Sequence, residues 1–552
     1  MDATLRAAVE AWIDDDPDEH DRAELRALLG NDANAELADR FTGRLTFGTA
    51  GLRGAVGAGP NRMNRAVVRA ATSAVAGWLL GASDTPQVVV GCDARHRSDE
   101  FADEAARVLA GAGIRVHLLP RPGPTPLLAF AVRHLGAHAG IMITASHNPA
   151  ADNGYKLYLR DGAQVIPPAD AEIEARIEAL GPLAAIPVAR LDDPLIVRHG
   201  DEVAAAYLGA VAGFTPAASP PDLTVVYTPM HGVAGDLMLR AIATAGFAAP
   251  HVVKAQATPD PDFPTVAFPN PEEPGALDLA LADARATGAD LVLASDPDGD
   301  RLAVAVRVTT GWLQLSGDQL GAVLGACLLE TGSAPGSTVP LVATTIVSST
   351  LLSKIAAAAG ARYQETLTGF KWIARAADRE PDATFVFGYE EALGYQVGTI
   401  VKDKDGIGAA LAVLRLAAAA AKERGGTLAG AYDSLERVHG VHLTGQLSLR
   451  IPHPPEAMRR LRATPPAALG GAPVEGITDF TDAGTGLPPS DVLRYTLRGN
   501  ARVVVRPSGT EPKIKAYLEV TEPPGDELTA SREAAAARMT PLRAAVTALL
   551  TS

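Results

Sequence analysis

The chain has 552 residues, of which 47% are hydrophobic and 20% are charged, and its formal net charge is -15. A chain of this length exceeds what one hydrophobic core supports, so several folded domains are expected. The acidic balance disfavours nucleic acid as a partner, because a phosphate backbone requires a basic protein face.

Cysteine usage and the apolar pattern indicate the compartment. Cys92 and Cys327 are too few for a disulfide framework, which favours a reducing environment. The first residues lack the basic region and long apolar core of a signal peptide. No uninterrupted apolar stretch reaches membrane-spanning length. We therefore expect a cytoplasmic protein without a membrane partner.

Apolar, strand-like runs alternate along the chain with Ala-, Leu- and Arg-rich helical patterns. The predicted elements are, in chain order, a strand at 87–90, a helix at 100–110, a strand at 223–227, a helix at 235–245 and a strand at 290–294. Such alternation predicts α/β domains with largely parallel sheets. In these sheets ligands gather at the loops that leave the carboxyl ends of strands.

The last part of the chain differs in character. Residues 502–505 and 513–520 are strand-like, and residues 530–550 form a helical pattern. This predicts a smaller C-terminal α+β domain. The predicted domain ranges are 1–205, 206–320, 321–440 and 441–552.

A candidate nucleophile follows the apolar run at 140–143. The next residues, 144–149, read TASHNP and place Ser146 beside His147. The segment lacks the G-x-S-x-G elbow of an esterase. From these residues alone, a turn or helix-capping role for Ser146 is as compatible as a catalytic one.

An acidic motif follows the apolar run at 291–294. Residues 296–301 read DPDGDR, and carboxylates at alternate positions can converge on one hard cation. An EF-hand would need Gly where Arg301 stands and Glu where Arg307 stands. A solvated acidic turn is the alternative, but three close carboxylates repel one another unless a cation neutralises them. The motif therefore predicts a magnesium site.

A third motif, RPSGTEP at 506–512, lies between two strand-like runs. Arginine can grip phosphate with two parallel donors, hydroxyls add contacts, and glycine lets backbone N–H groups approach an anion. A plain hairpin turn would explain Ser-Gly but not an arginine beside two hydroxyls. The motif predicts a phosphate-binding loop.

These three loops, together with FGTAGLRG at 47–54, stand in the order found in the α-D-phosphohexomutase family, which the chain resembles from about residue 41 to residue 517. TGFKW at 368–372 and YEEALGY at 389–395 resemble the branch of phosphoglucomutases that includes phosphopentomutases and glucose-1,6-bisphosphate synthases. The resemblance implies a four-domain, heart-shaped molecule with a central cleft. Three related α/β domains and the smaller α+β domain would each supply one loop.

The resemblance also implies residue roles. Ser146 would carry the transferable phosphoryl group and would hold Mg²⁺ together with the three aspartates. The implied metal ligands are Ser146, Asp296, Asp298 and Asp300. The implied catalytic residues are Ser146, His147, Arg53, Lys156 and Lys404. The implied substrate-binding residues are Glu390 for the sugar hydroxyls, Arg506, Ser508, Gly509 and Thr510 for the phosphate that does not react, and Lys371 and Arg301.

The sequence departs from the family pattern after Glu390. Many members carry Ser two places later, and some bacterial phosphomannomutases carry His four places later; here these positions are Ala392 and Gly394. The departure weakens an assignment to mannose. We expect Lys404 to take over proton transfer, although the segment 402–406 is also compatible with a solvated charged turn.

The expected activity is that of an intramolecular phosphotransferase. It would interconvert a sugar 1-phosphate and 6-phosphate, or 5-phosphate for pentoses, through a phosphoserine enzyme and a bisphosphorylated sugar. Phosphoglucomutase is the first expectation, and phosphomannomutase or phosphopentomutase the alternatives. Mg²⁺ and a sugar bisphosphate such as glucose 1,6-bisphosphate are the expected cofactors, and small sugar phosphates the expected partners of a monomer or homodimer.

Two other functions compete with the mutase. A metal-dependent sugar phosphatase would share the serine and the aspartates but has no need of a second phosphate-gripping loop. A non-catalytic sugar-phosphate-binding protein would be expected to lose Ser146 or the aspartates, and this chain keeps them.

Overall fold

The computed structural model describes residues 2–46, 51–213, 223–331, 338–422, 426–508, 513–525 and 527–551. The chain divides into two compact units. One comprises Met1–Arg307 and Gly394–Ala412, and the other Val308–Leu393 and Val413–Ser552. Over the described ranges, the structure contains no helix with the length and apolar character needed to cross a membrane.

The elements before residue 310 alternate helices and strands, after three N-terminal helices. They are α1 (Ala3–Asp15), α2 (Glu19–Gly30), α3 (Asn34–Arg40), β1 (Leu52–Ala55), α4 (Arg65–Leu80), β2 (Gln87–Cys92), α5 (Ser98–Gly111), β3 (Arg115–Leu118), α6 (Thr125–His134), β4 (Ala139–Ile143), β5 (Asp152–Leu159), α7 (Ala169–Glu178), β6 (Ile196–Arg198), α8 (Glu202–Gly213), β7 (Val225–Thr228), α9 (Gly235–Thr244), β8 (His251–Val252), α10 (Asp278–Thr287), β9 (Leu291–Ser295) and β10 (Leu302–Val308).

The remaining elements continue the alternation and end in a strand-rich segment closed by a long helix. They are β11 (Gly311–Gln314), α11 (Gly317–Thr331), β12 (Val339–Thr345), α12 (Leu351–Ala358), β13 (Arg362–Thr366), α13 (Phe370–Ile373), β14 (Ala383–Glu390), β15 (Gly394–Val397), α14 (Gly406–Lys422), α15 (Leu428–His439), β16 (Val441–Arg450), α16 (Pro454–Ala463), β17 (Ala468–Leu469), β18 (Ala472–Asp479), β19 (Leu493–Leu497), β20 (Ala501–Pro507), β21 (Lys513–Glu522) and α17 (Leu528–Thr551).

The unit that contains the N-terminus has two mixed sheets. In the first, ordered β1-β5-β4-β2-β3-β6, strands β4, β2, β3 and β6 run parallel while β1 and β5 are antiparallel to their neighbours. In the second, β9, β7 and β8 run parallel and β10 is antiparallel to β9. The predicted parallel pairing therefore holds for β4, β2, β3 and β6 in the first sheet and for β9, β7 and β8 in the second. It fails where β4 turns into β5 and β9 into β10, because these short connections return the chain beside the strand it has just left.

The inner strands of the first sheet have the composition that their position requires. Strand β4 is apolar and buried along its whole length, as expected for a strand covered by helices on both faces. Helix α4 packs against this sheet and begins after Asn64, whose side-chain oxygen accepts a hydrogen bond from Val67 N at 2.9 Å. In β4 and β2 the polar residues Thr144 and Asp93 come directly after the last strand residue, where the candidate site loops begin.

The other unit combines a parallel sheet with an antiparallel one. Strands β13, β12 and β14 are parallel. Strands β16 to β21 form a six-stranded sheet in the order β16-β21-β20-β19-β18-β17, with antiparallel pairs. Helix α17 buries Leu542, Val546 and Leu550 in the core of this sheet. The C-terminal segment thus has the α+β character that its sequence predicted.

The predicted domain ranges remain predictions. The limit after residue 205 falls inside α8, the limit after 320 falls inside α11, and the limit after 440 falls between α15 and β16.

Candidate active site

The three aspartates predicted to bind metal lie in the turn between β9 and β10. Their side chains are fully buried, and one oxygen from each lies within 4.8 Å of the others. Gly299 has a φ of 71°, and a Cβ there would lie 2.7 Å from Ala234 Cβ, so the turn requires glycine on both grounds. The alternative of a solvated acidic turn is wrong, because the carboxylates have no solvent exposure.

The charges within this acidic triad are only partly neutralised by the protein. Burial and the neighbouring Asp298 and Asp300 carboxylates raise the pKa of Asp296 well above its usual range. Burial alone would raise the pKa of Asp298, but the Lys156 ammonium outweighs it and lowers that pKa. Oδ1 of Asp298 and Oδ1 of Asp300 are buried without a hydrogen-bond partner among the described residues. Three convergent carboxylates, two of which keep an oxygen without a hydrogen-bond partner among the described residues, fit a hard divalent cation.

The candidate nucleophile lies at the edge of the triad. Ser146 follows β4, and its Oγ donates a hydrogen bond to Asp296 Oδ2 at 2.8 Å. Ser146 is 3% exposed and has a φ of 51°, the left-handed region that non-glycine residues seldom adopt. The structure therefore unites the serine and acidic motifs, which are 150 residues apart in the sequence.

Two lysines complete the charge pattern around the aspartates. Lys156 Nζ, on β5, donates to Asp298 Oδ2 at 2.7 Å and to Asp300 Oδ2 at 2.9 Å. Lys404 Nζ lies 3.4 Å from Asp300 Oδ2 and is 7% exposed. Burial would lower the pKa of Lys156, but the two aspartates raise it, so its ammonium stays charged.

The segment around Lys404 is fixed rather than solvated. Asp403, which is 1% exposed, accepts hydrogen bonds from Tyr158 Oη and Gln164 Nε2, both at 2.7 Å. Asp405 accepts from Tyr207 Oη at 2.7 Å. The alternative of a solvated charged turn at 402–406 is therefore wrong.

The remaining predicted basic residues of this unit gather on the serine loop. Arg301 Nη1 lies 3.0 Å from His147 Nδ1, and Arg53 Nη1 donates to Asn148 Oδ1 at 2.8 Å. Burial and the two guanidinium groups lower the pKa of His147 well below its usual range, so the imidazole is neutral and accepts from Arg301. Burial and the nearby Arg301 also lower the pKa of Arg53. Such concentrated positive charge suits an anion such as a phosphoryl group.

The predicted sugar-binding residues lie in the other unit. Glu390 ends β14 and is 8% exposed, and Lys371, in α13, is 7% exposed with Nζ 5.8 Å from the Trp372 ring. Ala392 and Gly394 follow Glu390 closely.

The predicted phosphate-binding motif of that unit begins at the end of β20. Arg506 is half-buried and makes a side-chain hydrogen bond with Tyr517, and Ser508 N donates to Lys513 O at 2.8 Å. Burial and the Glu391 carboxylate raise the pKa of Tyr517, so its phenol stays protonated beside Arg506. Gly509 and Thr510 lie outside the described residues.

Sequence reasoning missed several side chains that contact this machinery. Thr125 Oγ1 donates to Asp298 Oδ2 at 2.6 Å, and Arg95 Nη2 donates to Ser146 O at 2.7 Å. Asp93 directly follows β2, the parallel neighbour of β4, and Arg95 lies two residues further along the chain. Because functional residues gather in loops that leave the carboxyl ends of parallel strands, this position could have identified Arg95. Thr125 carries no comparable signal in the sequence.

Known proteins resemble the chain over all four predicted domains. Sequence models described as phosphoglucomutase/phosphomannomutase alpha/beta/alpha domains I, II and III match residues 44–182, 205–310 and 316–437, and the C-terminal domain matches residues 456–536. A Haemophilus influenzae protein named probable phosphomannomutase is 42% identical over 83% of this chain and 93% of its own length. Human phosphopentomutase is 36% identical over 95% of this chain and 93% of its own length.

A solved structure shows the same fold. The open form of parafusin, a phosphoglucomutase from Paramecium, is 20% identical, covers 93% of this chain and 95% of its own, and superposes with a TM-score of 0.68. The predicted four-domain α/β fold class is confirmed. With four domain matches and relatives above 30% identity over most of their length, the chain belongs to the phosphoglucomutase/phosphomannomutase family of α-D-phosphohexomutases, and it is an isomerase-type phosphotransferase.

Proposed function

We propose that Ser146 carries the transferable phosphoryl group and that the enzyme converts glucose 1-phosphate into glucose 6-phosphate through glucose 1,6-bisphosphate. The observation that carries this proposal is the Ser146 Oγ to Asp296 Oδ2 contact of 2.8 Å beside three converging carboxylates. An alcohol at this position can be phosphorylated where cations neutralise the phosphoryl oxygens.

The forward phosphoryl transfer needs no reactant besides the phosphoserine enzyme and the sugar monophosphate. The free hydroxyl of the sugar monophosphate attacks phosphorus of phospho-Ser146, and the bond between phosphorus and Ser146 Oγ breaks. Lys404 in its neutral amine form is our candidate base for the hydroxyl proton, and the ammonium so formed is the source of the proton that Ser146 Oγ takes up, so that no net proton is consumed. The bisphosphate then turns over and returns its other phosphoryl group to Ser146. A bound sugar bisphosphate also supplies the first phosphoryl group.

Asp296, Asp298 and Asp300, with the phosphoserine, would hold Mg²⁺. When bound, the metal supplies positive charge to the phosphoryl oxygens. Arg53 and Arg301 would add guanidinium donors to the same oxygens, while Arg301 holds the neutral His147 imidazole in place. Lys156 would keep two aspartates oriented through its contacts of 2.7 and 2.9 Å.

The residues of the other unit would divide the recognition of substrate. Glu390 would accept hydrogen bonds from the sugar hydroxyls, with Lys371 beside it. Arg506, Ser508, Gly509 and Thr510 would hold the phosphate that does not react. Because the bisphosphate must bind in two orientations, this loop should recognise phosphate rather than the ring.

Glucose is proposed as the preferred sugar because the segments 368–372 and 389–395 resemble the phosphoglucomutase branch, while Gly394, where some phosphomannomutases have histidine, weakens an assignment to mannose. A pentose phosphate is the second candidate, supported by the 36% identity with human phosphopentomutase over 95% of this chain.

The test is a panel of glucose, mannose, ribose and deoxyribose 1-phosphates, each with a trace of the corresponding bisphosphate. We expect the highest kcat/KM for glucose 1-phosphate, with isomerised product and no free phosphate. A higher value for a pentose phosphate would transfer the assignment to the second candidate. Release of free phosphate faster than isomerised product would contradict the mutase mechanism.

A further inference from the structure

The turn after β2 lies directly against the loop that carries Ser146. Strands β2 and β4 are parallel neighbours, with Cys92 paired to Ile143 at their carboxyl ends. The two loops therefore leave the sheet side by side. Asp93 and Arg95 in the first loop are 3% exposed each.

The Arg95 guanidinium donates hydrogen bonds to four backbone oxygens between Ser146 and Asp152. Nη2 donates to Ser146 O at 2.7 Å and to Asn148 O at 2.6 Å. Nη1 donates to Pro149 O at 2.7 Å and to Asp152 O at 3.1 Å. One rigid fork thus fixes the path of the chain from the nucleophile to the start of β5.

These contacts direct the Arg95 guanidinium to the protein backbone. Its two Nη atoms donate to the four carbonyls, and Nε, which is buried without a hydrogen-bond partner among the described residues, lies 3.4 Å from Asp93 Oδ2 as an ion pair. The Phe263 ring covers the guanidinium, with 5.1 Å between Cζ and the ring centroid. Arg95 therefore differs from Arg53 and Arg301, which contact side chains of the serine loop.

The backbone of Ser146 requires such support. A φ of 51° is unfavourable for a non-glycine residue and persists where the surroundings hold it. The peptide group before Ser146 is held by Ser146 N donating to Thr144 Oγ1 at 2.9 Å, and Thr144 Oγ1 donates in turn to Asp93 Oδ2 at 2.6 Å. The peptide group after Ser146 is held by Arg95. The two peptide groups that flank Ser146 are therefore held by Asp93, through Thr144, and by Arg95.

We propose that Arg95 is a positioning residue, which with Asp93 and Thr144 holds Ser146 in its left-handed conformation so that Oγ stays at Asp296. This inference rests on the proposed role of Ser146 as phosphoryl carrier. Without the guanidinium, the serine would relax toward an ordinary backbone conformation and its Oγ would leave the position from which it is phosphorylated.

The test compares Arg95→Lys, Arg95→Ala and Thr144→Val in the full-length enzyme. A misplacement of the nucleophile by about 1 Å costs roughly 100-fold in rate, so we expect kcat to fall by about that factor. KM for glucose 1-phosphate should stay unchanged because Arg95 does not touch substrate.

The lysine of Arg95→Lys should not restore the kcat, since one ammonium cannot reach four carbonyls. Millimolar guanidinium should restore part of the kcat of Arg95→Ala and leave Arg95→Lys unaffected.

Arg97→Ala is the matched control. Arg97 pairs with Asp21 at 2.7 Å and with Asp18, and it makes no contact with the serine loop in the described structure. This variant should unfold at a lower temperature with an unchanged kcat. If Arg95 variants that keep the wild-type circular dichroism spectrum also keep the wild-type kcat, the inference is overturned. Should the Arg95 variants fail to fold, an unchanged kcat of Thr144→Val would overturn it equally.

The failure of the underlying function would look different. If Ser146→Ala stays active, then Ser146 is not the carrier and the proposed function falls, whatever the Arg95 variants do. If Ser146→Ala is inactive while the folded Arg95 variants are fully active, only the positioning role falls.

Discussion

The charged groups around Ser146 and those at the end of β20 are held in different ways. Around Ser146 the three aspartates are fully buried and Lys156 is 3% exposed, and these groups pair with one another. At the end of β20, Arg506 is half-buried and its described contact is the Tyr517 phenol.

This difference matches two separate tasks. Buried charges that hold one another in place need little reorganisation when charge develops in a transition state, so this arrangement suits catalysis of the phosphoryl transfer. A half-buried arginine beside a neutral phenol retains donors for an incoming anion, which favours recognition. We therefore expect substitutions in the first region to remove turnover and substitutions in the second to change substrate binding.

The largest effect is expected from Ser146→Ala. The change removes the hydroxyl that would carry the phosphoryl group, so turnover should fall to the uncatalysed background while the fold is kept. Mass spectrometry after incubation with glucose 1,6-bisphosphate should find no phosphorylated enzyme. Ser353→Ala, which removes a hydroxyl that bonds only Thr350 O within the described contacts, is the matched control and should behave as wild type. Sustained mutase activity of Ser146→Ala would remove the serine from the mechanism.

Metal removal should have the next largest effect. Chelation is expected to silence the enzyme and Mg²⁺ to restore it, because three buried carboxylates converge and two of them keep an oxygen without a donor among the described residues. Asp298→Asn should weaken Mg²⁺ binding in a calorimetric titration of the folded protein. Full activity after exhaustive chelation, with no metal found by elemental analysis, would contradict this prediction.

The chemical region was predictable from sequence as far as local pattern reaches. Apolar runs at 140–143 and 291–294 marked strands that the structure places at Ala139–Ile143 and Leu291–Ser295. The polar residues that follow them had to lie at strand ends, which is why Ser146 and the aspartates were identified. The residue types alone indicated the cation site, whereas the role of Ser146 as a nucleophile followed from the resemblance to the family, because a serine in a turn is equally compatible with a structural role.

Contacts between distant parts of the chain were not predictable in this way. Lys156 meets Asp298 from 142 residues away, and Asp403 is buried only because Tyr158 and Gln164 donate to it. The sequence of the charged segment 402–406 looks the same as that of a solvated turn, because the residues that bury it lie in other elements of the fold. The position of Arg95 near the end of β2 could have marked it as a candidate, but its contacts could not be predicted, because its acceptors are backbone oxygens and do not depend on residue type.

Smaller effects are expected in the recognition region. Arg506→Ala should lower kcat/KM for glucose 1-phosphate and ribose 1-phosphate by similar factors, because the lost contact is to phosphate. A charge-assisted hydrogen bond is worth roughly 1.5 to 3 kcal/mol, or about one to two orders of magnitude in kcat/KM. Glu390→Gln should instead change the ratio between the two sugars, since a pentose and a hexose present different hydroxyls. Steady-state kinetics with both substrates measures these effects. If Arg506→Ala changed the sugar preference and Glu390→Gln lowered kcat/KM equally for both sugars, the two loops would be assigned to the wrong halves of the substrate.

The smallest effect on turnover is expected from Glu519→Gln. This change should instead lower the free energy of unfolding of the unit that contains Arg506. Glu519, on β21, accepts from Ser349 Oγ and Thr350 N, both at 2.8 Å, and pairs with Arg502 Nε at 2.7 Å. Burial alone would raise the pKa of Glu519, but the Arg502 charge and the contact with His442 outweigh it and lower the pKa from 4.5 to about 2.

A carboxylate with a lowered pKa in the folded state stabilises the protein above its unfolded pKa and ceases to do so as the pH falls through its folded pKa. For Glu519 that window runs from about 4.5 down to about 2. At neutral pH the wild type should therefore exceed Glu519→Gln by roughly 3 kcal/mol in free energy of unfolding. In urea unfolding this difference should narrow as the pH is lowered below the upper end of the window. Glu475→Gln, which breaks an exposed pair with Arg498, should show almost no difference at any pH. A difference for Glu519→Gln that stays constant across the window, or an altered kcat at neutral pH, would show that this carboxylate acts through something other than its buried charge.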